Sequence, residues 1–227
     1  MPPIDWQSIL LTLRLASFTT VILLLLGLPL ALWLARTRCR ARPFVEAVVA
    51  LPLVLPPTVL GFYILLMMGP RSPLGGFYES LTGTLLPFSF PGLVVASVLF
   101  SLPFAVQPFT AGFRGVRREM EESSWCLGVS RWETFWRVTF PQSRPGIIAG
   151  VVLAFAHTLG EFGVVLMVGG NIAGVTRTVS ISIYDSVQAM DYQTAAWTSA
   201  ILLIGAAITL SILYLTQRKP FTPWTVN

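Results

Sequence analysis

One carboxylate in this 227-residue chain stands where a charge is costly. Glu161 lies inside an otherwise uncharged apolar run, Gly146 to Gly169, with His157 four residues before it. Lipid gives such a group no hydrogen-bond partners, so it must face a cavity or a partner. On a helix that spacing puts both side chains on one face, where the carboxylate can accept a hydrogen bond from His157 or from backbone donors, as a gate or a structural lock. Direct contact with a bound solute is the alternative, an awkward one if that solute is negatively charged, because like charges repel. His157 is the single histidine and reads alone as a satisfied interior residue. Cys39 and Cys126 are isolated, which suits reduced thiols, and the other carboxylates are scattered. No acid–base pair, metal set or redox pair emerges, and no G-x-x-x-x-G-K-[ST] phosphate loop is present. An integral membrane enzyme is therefore a poor reading.

The elements that must hold these residues are membrane helices. Hydrophobic residues make up 54% of the chain and charged ones 11%, against roughly a quarter charged in a soluble domain. Five stretches are long enough to span a bilayer: Leu15 to Ala35, Ala47 to Gly69, Phe90 to Phe113, Gly146 to Gly169 and Gln193 to Thr216. They predict one all-α transmembrane domain over residues 1–227, with no internal repeat of the kind a gradient-driven carrier shows. Pro52, Pro56 and Pro57 interrupt the second stretch. Such prolines leave backbone carbonyls unpaired, which suits either a water-lined path or a merely kinked packing helix. The N-terminus lacks the basic region of a cleaved signal peptide, so the first span is expected to be retained.

Charge sets the expected orientation. Arg36, Arg38, Arg40 and Arg42, six arginines between the third and fourth spans, and Arg218 with Lys219 fall on one side, leaving Arg14, Arg71 and Arg177 on the other. Basic residues gather on the cytoplasmic side of membrane proteins, so the N-terminus is expected outside and the C-terminus inside. The net charge of +5 then reflects topology and calls for no nucleic-acid partner.

The segment from Arg114 to Arg144 is the polar exception. Val116 to Leu127 reads as a short helix with Val116, Met120, Ser123 or Ser124, and Leu127 on one face. Gly128 supplies a left-handed helix end. Ser130 and Glu133 form a capping-box pattern for a second helix, with Trp132, Phe135, Trp136 and Thr139 on one face and Pro141 as its stop. A helix–glycine–helix knob of this kind either contacts another protein or rests on the membrane surface.

The spacing of Glu122, Ser123, Ser124, Gly128 and Pro141 resembles the EAA loop of ABC importer membrane subunits, E-A-A-x3-G-x9-I-x-L-P. Serines replace the two alanines, Val138 the isoleucine and Phe140 the leucine. Together with Leu51-Pro52-Leu53-Val54-Leu55-Pro56-Pro57, Leu159-Gly160-Glu161-Phe162-Gly163, Thr176-Arg177-Thr178 and Ile183-Tyr184-Asp185, nearly the whole chain is similar to molybdate/tungstate ABC permeases. Sulfate permeases share parts of the pattern.

The resemblance implies a type I ABC importer permease fold in a bacterial cytoplasmic membrane. It implies a homodimer, two copies of a cytoplasmic ABC ATPase that carry the ATP and magnesium, and an external molybdate-binding protein. This chain itself would bind no cofactor or metal. Glu122, Ser123, Ser124, Gly128, Trp132 and Pro141 would form the ATPase contact; Pro56, Pro57, His157 and Glu161 are candidates for the path or gate. Thr176 and Arg177 would meet the binding protein or close the outer mouth, although an ordinary solvated loop fits them too.

Overall fold

A computed structural model describes residues 4–217, and the helices it contains follow from capping and proline chemistry. Helix α1 (Trp6–Arg36) opens where the Asp5 carboxylate accepts the Ser8 N–H at 3.1 Å. It therefore begins ahead of the expected Leu15, which places Arg14 within the helix, its guanidinium over the Phe90 ring at 5.8 Å. At 31 residues α1 is about 46 Å long, more than the hydrocarbon core requires.

The second expected span is not one helix. α2 (Arg42–Val54) and α3 (Pro57–Met68) meet at Leu55-Pro56 with a bend of 116°. Pro57 starts α3, where a missing N–H costs nothing, while the residue before a proline is pushed out of helical geometry. A short α4 (Pro73–Thr82) follows, which apolar-run reasoning did not anticipate because it is too short to cross a bilayer. α5 (Phe90–Arg114) is an unbroken span that tolerates Pro103 and Pro108.

After the polar segment, α8 (Phe140–Gly160) and α9 (Gly163–Gly169) form a second broken unit, bent by 62°. α10 (Val179–Gln188), also unanticipated, leads into α11 (Tyr192–Gln217). Among the described residues three helices are long and apolar enough to cross a membrane, or five if each bent pair counts as one span. The expected Arg218 and Lys219 lie outside the described residues.

α5 and α8 make the central pair, and α1 packs on both. Their shared core contains Leu23, Val106, Phe109, Phe113 and Ile147. In a bilayer such contacts stabilise by close packing rather than by removal from water. α11 is peripheral and leaves Leu203, Ile204, Ile208 and Ile212 exposed. The arginines after α1 and around the polar segment gather at one end, as the Arg36–Glu121 and Arg114–Glu46 ion pairs show. The start of α1 joins residues 174–182 at the opposite end through Thr12 and Val179, 2.9 Å apart.

Candidate functional site

At the arginine-rich end the polar segment folds into the expected knob. α6 (Arg118–Cys126) carries Glu119 and Glu121 in its first turn, where the helix dipole favours negative charge. Gly128 takes φ +80°, and the Val129 N–H reaches the Ser124 carbonyl at 3.2 Å while the Gly128 N–H reaches Trp125 at 2.9 Å. That pattern ends α6 with its last carbonyls satisfied. The Ser130 hydroxyl accepts the Glu133 N–H at 3.2 Å and starts α7 (Arg131–Thr134). Glu133 does not complete a capping box; its carboxylate pairs with Arg137 at 2.8 Å.

Pro141 does not stop this helix. A π turn over Phe135–Thr139 widens the chain by one residue, with the Phe140 N–H donating to the Phe135 carbonyl, and Pro141 falls in the first turn of α8. The extra residue makes room for the ring that a regular helix would drive into the preceding turn. The knob is thus continuous with a membrane span, from Arg131 to Gly160.

The two serines that replace alanines behave differently. Ser124 is hydrogen-bonded to Thr134 at 3.0 Å and joins the two short helices, whereas Ser123 bonds back to its own helix at the Glu119 carbonyl. Glu122 points outward beside Arg118 at 2.8 Å. Leu127 and Trp132 are 83% and 72% exposed, an apolar tip left uncovered by the described residues.

The residue that fixes the knob is Glu121, which the sequence did not single out. Its side chain is 7% exposed and takes both guanidinium nitrogens of Arg36 as well as the Thr139 hydroxyl. One carboxylate therefore ties α6, the end of α1 and the π turn together. In the sequence Glu121 is one of three acids in the first half of α6, and only its place one turn before Trp125 sets it apart.

Deeper in the bundle the two helix breaks lie side by side. A Cβ on Gly163 would fall 2.7 Å from the Pro57 Cβ, so only glycine allows this approach. A cavity of about 600 Å³ opens there, lined by Pro57, Thr58, Phe100, His157, Glu161 and Phe162. Of the predicted path residues, Pro57, His157 and Glu161 converge on it; Pro56 makes the bend without lining the cavity.

The expected His157–Glu161 hydrogen bond is not formed. His157 Nδ1 instead meets the Ser101 hydroxyl at 2.9 Å, and its ring stacks on Phe104 at 3.8 Å. The reason is backbone geometry: α8 ends at Gly160, and Glu161 is extended at φ −67° and ψ 133°, which removes it from the helical face of His157. Glu161 is 4% exposed; neither carboxylate oxygen makes a hydrogen bond of ordinary geometry among the described residues, with the likewise buried Ser97 hydroxyl beside it. Such an orphan is costly to maintain for packing alone.

At the opposite end Thr176 is fully buried, donating to the Gly169 carbonyl at 2.7 Å and accepting from Ile172 N–H at 3.1 Å. The residue closes its own turn within this chain. Arg177 is partly open and bonded to Asn171 at 2.6 Å, with Asp185 at 3.6 Å. Nearby, burial pushes the Asp5 carboxyl up, but hydrogen bonds from Ser8 and Ser182 and the Arg177 charge hold it below the usual aspartate range.

Two broken spans packed around a buried carboxylate, and a helical knob continuous with one of them, are the architecture of a multi-pass membrane protein. Residues 27–219 match the family described as binding-protein-dependent transport system inner membrane component, and the chain belongs to that family. It is 51% identical over 214 residues to the molybdenum transport system permease protein ModB of Azotobacter vinelandii, covering 94% of this chain and 95% of the relative. The ModB of Escherichia coli K12 is 35% identical over 204 residues, covering 90% and 89%. A chain of a bacterial ABC transporter involved in import of the acidic polysaccharide alginate superposes with a TM-score of 0.75 at 17% identity, over 95% of this chain and 79% of that one. That likeness concerns the fold, and it agrees with the expected type I importer permease architecture.

Proposed function

We propose that this chain is the permease subunit of an ATP-driven importer that moves molybdate, or the isosteric tungstate, across the cytoplasmic membrane by alternating access. The knob carries the proposal. It presents an exposed apolar tip at Leu127 and Trp132, beside Glu122, while the Glu121–Arg36–Thr139 cluster locks its base to two spans. A knob so fixed transmits rigid-body displacement into α8 and on to the break at Glu161. The choice of cargo follows the molybdenum permeases that the chain resembles over almost its full length.

In this reading two copies of the chain pair about a two-fold axis and each knob docks on one ATPase subunit. A binding protein delivers the anion from outside, the N-terminus is external and the arginine-rich end is cytoplasmic. The test is reconstitution with the ATPase and binding protein, followed by ATP hydrolysis with molybdate, tungstate or sulfate. Molybdate and tungstate should stimulate hydrolysis; equal stimulation by sulfate would refute the cargo. Glu122→Lys should uncouple hydrolysis from uptake while membrane insertion is normal, and full uptake by that variant would refute the docking role.

A further inference from the structure

Beneath the knob lies a second cavity, of about 800 Å³. Its floor is basic: Arg36, Arg38, Arg118 and Arg131 face it, against the single carboxylate of Glu121. Glu121 is already engaged by Arg36 and Thr139, and Arg118 is balanced by Glu122. Arg131 lies over the Trp125 ring at 5.4 Å, and Arg38 has no carboxylate or ring partner among the described residues. Two guanidinium groups are therefore available to an anion.

The wall of the same cavity is apolar and rises along α1 through Trp33 and Leu32 to Pro29. Pro29 is seven residues before Arg36, which is about 10 Å along the helix axis. Trp33 borders the opening on α1 and is 41% exposed. Basic groups at one depth, an apolar groove running inward from them and a tryptophan at the boundary match a lipid that lies with its phosphate at the membrane surface. A free inorganic anion would use the floor and leave the wall empty.

We infer that this groove binds one anionic phospholipid of the arginine-rich leaflet, its phosphate on Arg38 and Arg131 and an acyl chain along Trp33, Leu32 and Pro29. The bound lipid would fill the space between α1 and the knob and brace the knob laterally. The inference concerns lipid chemistry and is independent of the cargo.

The test uses the full chain in nanodiscs of equal parts phosphatidylglycerol and phosphatidylcholine, with retained lipid identified by native mass spectrometry. Phosphatidylglycerol should be retained preferentially, and Arg38→Gln and Arg131→Gln should each lower its retention about fivefold. Equal retention of the two lipids, or unchanged retention in both variants, would overturn the inference. Two additions to the wild-type protein decide it without any variant. Displacement by inorganic phosphate would assign the floor to a free anion, and complete displacement by the ATPase would make the groove a protein interface. Retention through both supports the lipid site.

Discussion

Glu121 and Glu122 are neighbours with opposite roles, and replacing each by alanine separates them. In Glu121→Ala the carboxylate that holds three hydrogen bonds is lost. Arg36, with its side chain 33% exposed, regains water and offsets part of the loss. Thr139 is 4% exposed and does not, so its hydroxyl is left unpaired at a cost of about 1–3 kcal/mol. Adding the charge-assisted bonds after allowance for solvent puts the loss at roughly 3 kcal/mol, the low end for a broken buried pair. In Glu122→Ala only an exposed pair with Arg118 is removed, worth about 0.3–0.5 kcal/mol. Hydrogen–deuterium exchange across residues 118–140 in detergent reads the difference. Exchange should rise about 100-fold in Glu121→Ala and by less than about threefold in Glu122→Ala. The core of α1, α5 and α8 should keep its protection in both. Equal protection of the knob in Glu121→Ala and wild type would refute the anchor, and so would equal losses in the two variants.

Gly163→Val should push the two helix breaks apart, because its Cβ would meet Pro57 at 2.7 Å. Overpacking of this kind costs about 1–3 kcal/mol, and uptake should fall while the variant still inserts; wild-type uptake would refute the contact. Cys39 and Cys126 are both exposed near the arginine-rich end, so membrane-impermeant thiol reagents should label them in inverted vesicles and not in intact cells. At the other end the Asp5 carboxyl is held below its ordinary range. Its contribution is present above the unfolded aspartate pKa, about 4, and is lost as the pH falls through the lower folded value. Protease resistance of the α1 start should therefore decline below about pH 4, and Asp5→Asn should remove that dependence; an unchanged profile would refute the tie.

Apolar length, proline position and the Glu122-to-Pro141 spacing were readable from the chain alone, because each is a local property. They placed α5, α11 and the left-handed turn at Gly128, and they marked three prolines in the second stretch, of which Pro52 stays inside α2 and only Pro56 and Pro57 make the break. Local rules also explain the errors. Pro141 was expected to end a helix, yet a π turn absorbs its ring, with Phe135 and Phe140 packed against the core. His157 and Glu161 were expected to share a face, yet the chain leaves the helix between them and His157 turns to Ser101, 56 residues away. Glu121 looked like one more surface acid until Arg36, 85 residues earlier in sequence, was brought beside it. The sequence thus determined which segments are apolar and long enough to span a bilayer, and left the short α4 and α10 unseen. Which polar groups meet was decided by the packing of those helices, since a buried charge takes its partner from whatever the fold places within reach.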